Sequence, residues 1–165
     1  MRATTCASCA TSGIVGRDLR ASRGGVNRLA LDTAPLIYLI ELHPTFRKPV
    51  ADVLHHASAA GIVLVTSALT VTEVLVHPLR LGRADLADQY RAILLGDSAL
   101  RLVHLDAEVA IRAAELRARY NLRTPDAVQV ASALVAGADA FLTNDGDLSR
   151  VAEIRVVQLR ELVIG

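Results

Sequence analysis

RTPDAVQVASALVAGADAFLTNDGD, residues 123–147, reads as a helix followed at once by a strand. Thr124 suits a helix cap and Pro125 a first helical position, where a missing N–H costs nothing. Val128, Ala131 and Val135 then recur at helical spacing and define an inward face. Gly137 ends the helix. AFLT at 140–143 is a short apolar run of strand length, followed by a turn at Asn144–Gly146.

The same alternation extends in both directions. RLAL at 28–31 reads as a first strand, followed by a helix with Pro35 in its first turn and Leu36, Leu39 and Ile40 on one face. Pro44 is expected to open a second helix carrying Phe46, Val50, Val53, Leu54 and Ala57, ended by Gly61. IVLVTS at 62–67 is the second strand, and Ser67 is expected to cap a helix that runs to His77 and stops at Pro78. Leu86, Tyr90, Ile93 and Leu94 mark another helix, RLVHL at 101–105 a third strand, and Asp106 the cap of a helix striped by Val109, Ala113, Leu116 and Tyr120. AFLT is the fourth strand, and IRVVQL at 154–159 the fifth. Strands separated by helices imply an α/β sandwich: a central, mostly parallel sheet of about five strands flanked by helices.

Composition narrows the function. A chain of 165 residues with 52% hydrophobic content builds one domain and is not globally disordered. Aromatics are 3% with no Trp, so the core is aliphatic and a multi-ring stacking platform for nucleic acid is not expected. The net charge of +1 hides an asymmetry: residues 1–28 carry five Arg against one Asp, which leaves the rest at −3. Nucleic-acid binding by bulk charge is therefore excluded, and any such contact must be local. Residues 1–28 read as a disordered extension or a start codon set too far upstream, with the folded domain at 29–165. Cys6 and Cys9 lack the second ligand pair that a structural zinc needs. Val53–Thr72 has the length of a membrane span, but His55, His56 and Gly61 break it into helix end, turn and strand. No span is expected, and a cytoplasmic location is. Gly-rich phosphate loops of the dinucleotide and P-loop types are absent.

The acidic residues sit where an α/β sheet places its chemistry. Asp32 follows the first strand, Glu73 lies in the helix after the second, Asp126 is in a first helical turn, and Asp145 follows the fourth strand. Ligands bind beyond the carboxyl ends of parallel strands. Each Asp alone could be a cap or turn residue, whereas Glu73 sits among Val71, Val74, Leu75 and Val76, in a helix too apolar to be a solvated face. If the strands are neighbours, the four carboxylates converge and repel. A hard divalent cation, Mg²⁺ or Mn²⁺, resolves the repulsion and activates water at a phosphodiester.

LDTAPLIYLIE at 31–41, S-x-L-x-x-x-E at 67–73, RTPDAVQVASAL at 123–134 and FLTND at 141–145 together resemble the signature stretches of PIN-domain ribonucleases, most closely VapC-type toxins of bacterial toxin–antitoxin pairs. The resemblance spans about residues 29–162. It implies a PIN-like fold and a Mg²⁺- or Mn²⁺-dependent endoribonuclease whose metal-binding and catalytic acids are Asp32, Glu73, Asp126 and Asp145. It also implies products with 5′-phosphate and 3′-hydroxyl ends, a cognate antitoxin and a homodimer. Thr143 is expected to orient the carboxylates, with Asn144 beside it. Arg123, beyond its helix and without a local partner, is the expected phosphate contact, whereas Arg112 and Arg119 have Glu108 and Glu115 at helical spacing. Helices around Leu36–Leu42 and Phe46–Ala57 are the expected contact surface. A non-catalytic PIN-like binding protein is the alternative, and metal-dependent cleavage separates the two. A phosphatase or receiver-like module would want a Lys near the acids, and Lys48, the only one, lies in the second helix.

Overall fold

The computed structural model describes residues 26–96 and 100–163. Up to residue 25, the extension expected at 1–28 lies outside the described residues, and so do Cys6 and Cys9. Val26 is already buried, and Asn27 and Arg28 donate their N–H groups to the Asp139 carboxylate at 2.8 and 2.9 Å.

Among the described residues, strands β1 (Arg28–Leu31), β2 (Val63–Ser67), β3 (Leu100–Val103), β4 (Ala140–Thr143) and β5 (Arg155–Gln158) form one sheet in the order β3-β2-β1-β4-β5. Every pairing is parallel. The helices are α1 (Thr33–Ile40), α2 (Arg47–Ala59), α3 (Leu69–Arg80), α4 (Ala84–Leu95), α5 (Ala107–Tyr120), α6 (Thr124–Val135) and α7 (Leu159–Val163), with a 3₁₀ turn at Gly146–Arg150. A parallel sheet is covered on both faces, and its strands are apolar throughout. Leu29 and Leu31 of β1 point to one face, where Leu36, Val50, Val53, Ala57 and Tyr90 of α1, α2 and α4 cover them. Ala30 points to the other, against Val109, Ala113, Leu116 and Val130 of α5 and α6.

Several boundaries differ from the sequence reading, each for a local reason. The second helix starts at Arg47 rather than Pro44, because the His43 Nδ1 accepts the N–H groups of Thr45 and Phe46, both at 3.2 Å, and closes a turn around Pro44. Pro78 does not stop α3, which runs on to Arg80. In the last turn the proline forfeits a single backbone bond, and its buried ring keeps the helix packed. Arg123, not Thr124, is the cap residue of α6, and Thr124 and Pro125 fill its first turn. Gly137 ends α6 with φ of +67°, a left-handed conformation that a side chain disfavours. The fifth strand ends at Gln158, and Leu159 opens the short α7, whose Leu159 and Leu162 join the core. A short apolar run does not by itself separate strand from helix.

On the first two helices, where a contact surface is expected, Leu36, Val50, Val53 and Ala57 are buried, Ile37, Leu39, Ile40, Phe46 and Leu54 are half-buried, and Leu42 is exposed. Leu79, Leu81 and Leu95, in and between α3 and α4, are more than half exposed. No helix among the described residues is long and apolar enough to cross a membrane.

Candidate functional site

The sheet order reverses at β1, with β2 and β3 on one side and β4 and β5 on the other. The crevice beyond the carboxyl ends of β1 and β4 is therefore the topological switch point, where α/β sheets bind ligands. The Asp32 N–H donates to the Leu142 carbonyl at 3.0 Å, which carries the β1–β4 ladder one residue past β1. That bond sets Asp32 beside Thr143. The Thr143 hydroxyl donates to the Asp32 carboxylate at 2.5 Å and accepts the Asp145 N–H at 3.0 Å, so one side chain ties two of the acids together. Asp32 also caps α1, accepting the Thr33 N–H at 2.7 Å.

Glu73 enters from α3. Its carboxylate accepts from the Thr33 hydroxyl and from the Gln129 amide, the latter at 2.9 Å. Asp126, in the first turn of α6, accepts from Arg123 Nε at 2.8 Å, and an Arg123 Nη lies 3.6 Å from Asp145. Asp32, Glu73, Asp126 and Asp145 all line one pocket of about 450 Å³, which Thr33, Ala34, Ile37, Tyr38, Gln129 and Asn144 complete. The Asn144 amide donates to the Tyr38 hydroxyl at 3.2 Å. A larger cavity of about 660 Å³ between α5 and α6 has Ile111, Leu134 and Val135 in its wall, and its Arg112 and Glu115 neutralise one another at 2.8 Å. The pocket at the switch point, by contrast, gathers chemistry.

The arginines part from expectation. Arg123 has a local partner, Asp126, and a second acid close by, because the fold brings the end of β4 to the start of α6. Arg112 pairs with Glu115 rather than Glu108, and Arg119 with Glu153 of the loop before β5 rather than Glu115. The Arg123 guanidinium is 78% exposed. Its bridge to Asp126 and Asp145 therefore lies at the solvent-exposed mouth of the pocket rather than in the core.

Beneath the acids lies a polar network absent from the sequence reading. The Thr66 hydroxyl donates to the Leu31 carbonyl at 2.9 Å, Thr70 sits 3.0 Å from Thr66, and the Gln129 amide nitrogen lies 2.9 Å from both Thr70 and Thr33. Ser132 donates to Ser67 at 3.0 Å. Thr66, Ser67, Thr70, Gln129 and Ser132 are all buried. The signal was present: Gln129 and Ser132 stand at i and i+3 in an otherwise apolar helix interior, and Thr66 and Thr70 are four apart.

Burial pushes the Asp32 carboxyl above its ordinary value, and the charges of Glu73 and Asp126 push the same way, against the Thr143 hydroxyl and the Thr33 N–H. Surplus negative charge is what a cation would relieve. Among the described residues no three His, Cys, Asp or Glu side chains close into a ready-made metal cage. The donor set suits a hard ion even so: its oxygens match Mg²⁺, which retains water and takes one or two carboxylates. The Arg123 guanidinium between Asp126 and Asp145 already puts positive charge at this point.

The PIN-domain profile matches residues 29–154, and no curated protein matches the chain. Solved structures do. A toxin–antitoxin complex from Klebsiella pneumoniae has 21% identity and a TM-score of 0.59, covering 79% of this chain and 97% of that one. VapBC2 from Rickettsia felis, bound to a DNA fragment from its promoter, has 16% identity and a TM-score of 0.62, covering 79% and 98%. Mycobacterium tuberculosis VapC20, a sarcin-ricin loop cleaving toxin, has 22% identity and a TM-score of 0.60, covering 77% and 98%. With an all-parallel sheet in the order β3-β2-β1-β4-β5, four acids at its switch point and a family match over most of its length, the chain belongs to the PIN-domain family.

Proposed function

We infer that the chain is a Mg²⁺- or Mn²⁺-dependent endoribonuclease and the toxin of a toxin–antitoxin pair. The observation that carries this reading is the single pocket lined by Asp32, Glu73, Asp126 and Asp145 in a PIN domain. The likeness to VapC20, whose name records RNA cleavage, and to antitoxin-bound VapBC proteins supports it.

Asp32, Asp126 and Asp145 would hold the metal, with Glu73 completing the set or orienting water. A bound divalent cation lowers the pKa of water and offsets charge on a phosphodiester. The remaining work falls to the chain. Thr143 fixes Asp32 and the backbone of Asp145 against each other, while Thr33 and Gln129 aim Glu73. Arg123, exposed and already close to both Asp126 and Asp145, is placed to meet a phosphate oxygen. Hydrolysis on this plan leaves 5′-phosphate and 3′-hydroxyl ends. The exposed leucines of the α3–α4 region are available to a second copy or to an antitoxin, and the reaction belongs in the cytoplasm, where RNA and antitoxin are found.

The test is cleavage of a structured RNA by the purified chain with Mg²⁺ or Mn²⁺ and with EDTA. Activity is expected only with metal, and Asp126→Asn should lower it at least a hundredfold with the fold intact by circular dichroism. Full activity in EDTA or in Asp126→Asn would overturn the reading.

A further inference from the structure

The chain has only five aromatic residues. Tyr90 and Phe141 are buried in the two cores, and the Tyr120 hydroxyl donates to Glu153. The other two stand together. Tyr38 stacks on Phe46 with ring centres 5.0 Å apart and an interplanar angle of 23°, and His43 touches both rings at 4.7 and 5.1 Å. This cluster fills the turn between α1 and α2 and is half-buried. Tyr38 also lines the carboxylate pocket.

Helical spacing explains the placement. Asp32 caps α1, and Ala34, Ile37 and Tyr38 lie at i, i+3 and i+4, so one stripe of that helix lines the pocket. The pocket is thus divided between four acids and an apolar strip ending in an aromatic ring. Phe46 and His43 back that ring and the Asn144 amide holds its hydroxyl, which limits the entropy lost when a ligand packs on it.

RNA must approach against charge. Four carboxylates and a domain with net −3 repel phosphates, and Arg123 is the one cation paired with these acids among the described residues. A neutral base face avoids that repulsion, and stacking on aromatic side chains is how unpaired bases are commonly held. We propose that Tyr38, backed by Phe46 and His43 and flanked by Ile37, is a stacking surface for one nucleobase of an unpaired RNA segment, next to the phosphate held at the acids. The proposal rests on the endoribonuclease reading and adds the contact that seats the substrate.

The test measures binding of a fluorescein-labelled 12-nucleotide single-stranded RNA of mixed sequence by anisotropy, in the presence of Mg²⁺, with the Asp126→Asn protein so that the RNA survives. A set of the same RNAs carries one abasic residue at each position in turn. Tyr38→Ala should weaken binding about tenfold, while Tyr38→Phe and Tyr38→Trp stay within about twofold of the parent. One abasic position should reproduce the loss, and combining it with Tyr38→Ala should add nothing. Binding by Tyr38→Ala within twofold, or losses that multiply, would overturn the proposal while leaving RNA cleavage standing. So would a Tyr38→Ala protein that binds RNA normally but no longer copurifies with a coexpressed antitoxin, which would assign the ring to a protein partner. Absence of RNA binding by the parent would overturn the proposal and the endoribonuclease reading together. If Tyr38→Ala fails to fold, Tyr38→Leu, which keeps an apolar side chain without a ring, takes its place and is expected to show the same loss and the same non-additivity with the abasic position.

Discussion

Asp32 carries three duties that conflict. It caps α1, accepts from Thr143 and belongs to the acidic pocket. Its carboxyl is pushed up by burial and by like charge, so the native state holds its proton more tightly than the unfolded chain does. Its contribution to stability is therefore complete in acid, below the ordinary carboxylate value, and is lost as pH rises through the elevated native value. Asp32→Asn lacks that charge. Its melting temperature, compared with the parent in EDTA, should improve as pH goes from about 4 to 7, although cleavage is abolished. Thermal melts across that range check it, and a difference that is flat with pH would remove the electrostatic account. Gln129 serves the site from below, where its amide faces Glu73 and two threonines in a buried network. Gln129→Leu leaves those groups short of a donor, at a cost of roughly 1–3 kcal/mol. Cleavage should fall at least tenfold with a higher metal requirement, whereas a merely structural role would lower the melting temperature and leave the metal titration unchanged.

At the scale of elements, helix termini are where the sequence acts most directly. Asp106 accepts the Val109 N–H at 3.0 Å and starts α5, and it is not among the residues that line the carboxylate pocket. Asp106→Ala should cost about 1 kcal/mol in a denaturant melt and leave kcat and KM for RNA unchanged. Other termini are set by neighbours. α2 begins where the His43 ring closes the preceding turn, and α6 begins at Arg123, whose side chain is drawn to Asp126. α3 continues through Pro78, because the buried ring is held by packing. Periodicity located these helices, but their ends answered to contacts that no local window contains.

For the whole molecule, the acidic pocket gathers like charge that a bound ion would relieve. Millimolar Mg²⁺ or Mn²⁺ should raise the melting temperature, since an ion that binds only the native state adds RT ln(1 + [L]/Kd) to stability. Asp145→Asn should reduce the gain, and Asp106→Ala should retain it in full. Superimposable melts in EDTA and in metal would count against ion binding at this pocket. Arg123 competes for the same acids, so the gain should be larger in Arg123→Gln, which lacks the guanidinium at the pocket mouth.

The alternation of strands and helices, the aliphatic core and the positions of Asp32, Glu73, Asp126 and Asp145 were legible in the chain alone. Each rests on local chemistry: apolar periodicity, capping residues and acids that follow apolar runs. The order of the strands was not, and the convergence of the acids depends on it. Asp32 and Asp145 are 113 positions apart in the chain, and only the pairing of β1 with β4 sets Thr143 between them. Tertiary structure alone supplied Arg123 with its second acid, gave Gln129 a partner in Glu73 and set Tyr38 at the edge of the pocket. Side-chain chemistry is written residue by residue, but the distance between two side chains on different elements is fixed only when both faces of the sheet are packed.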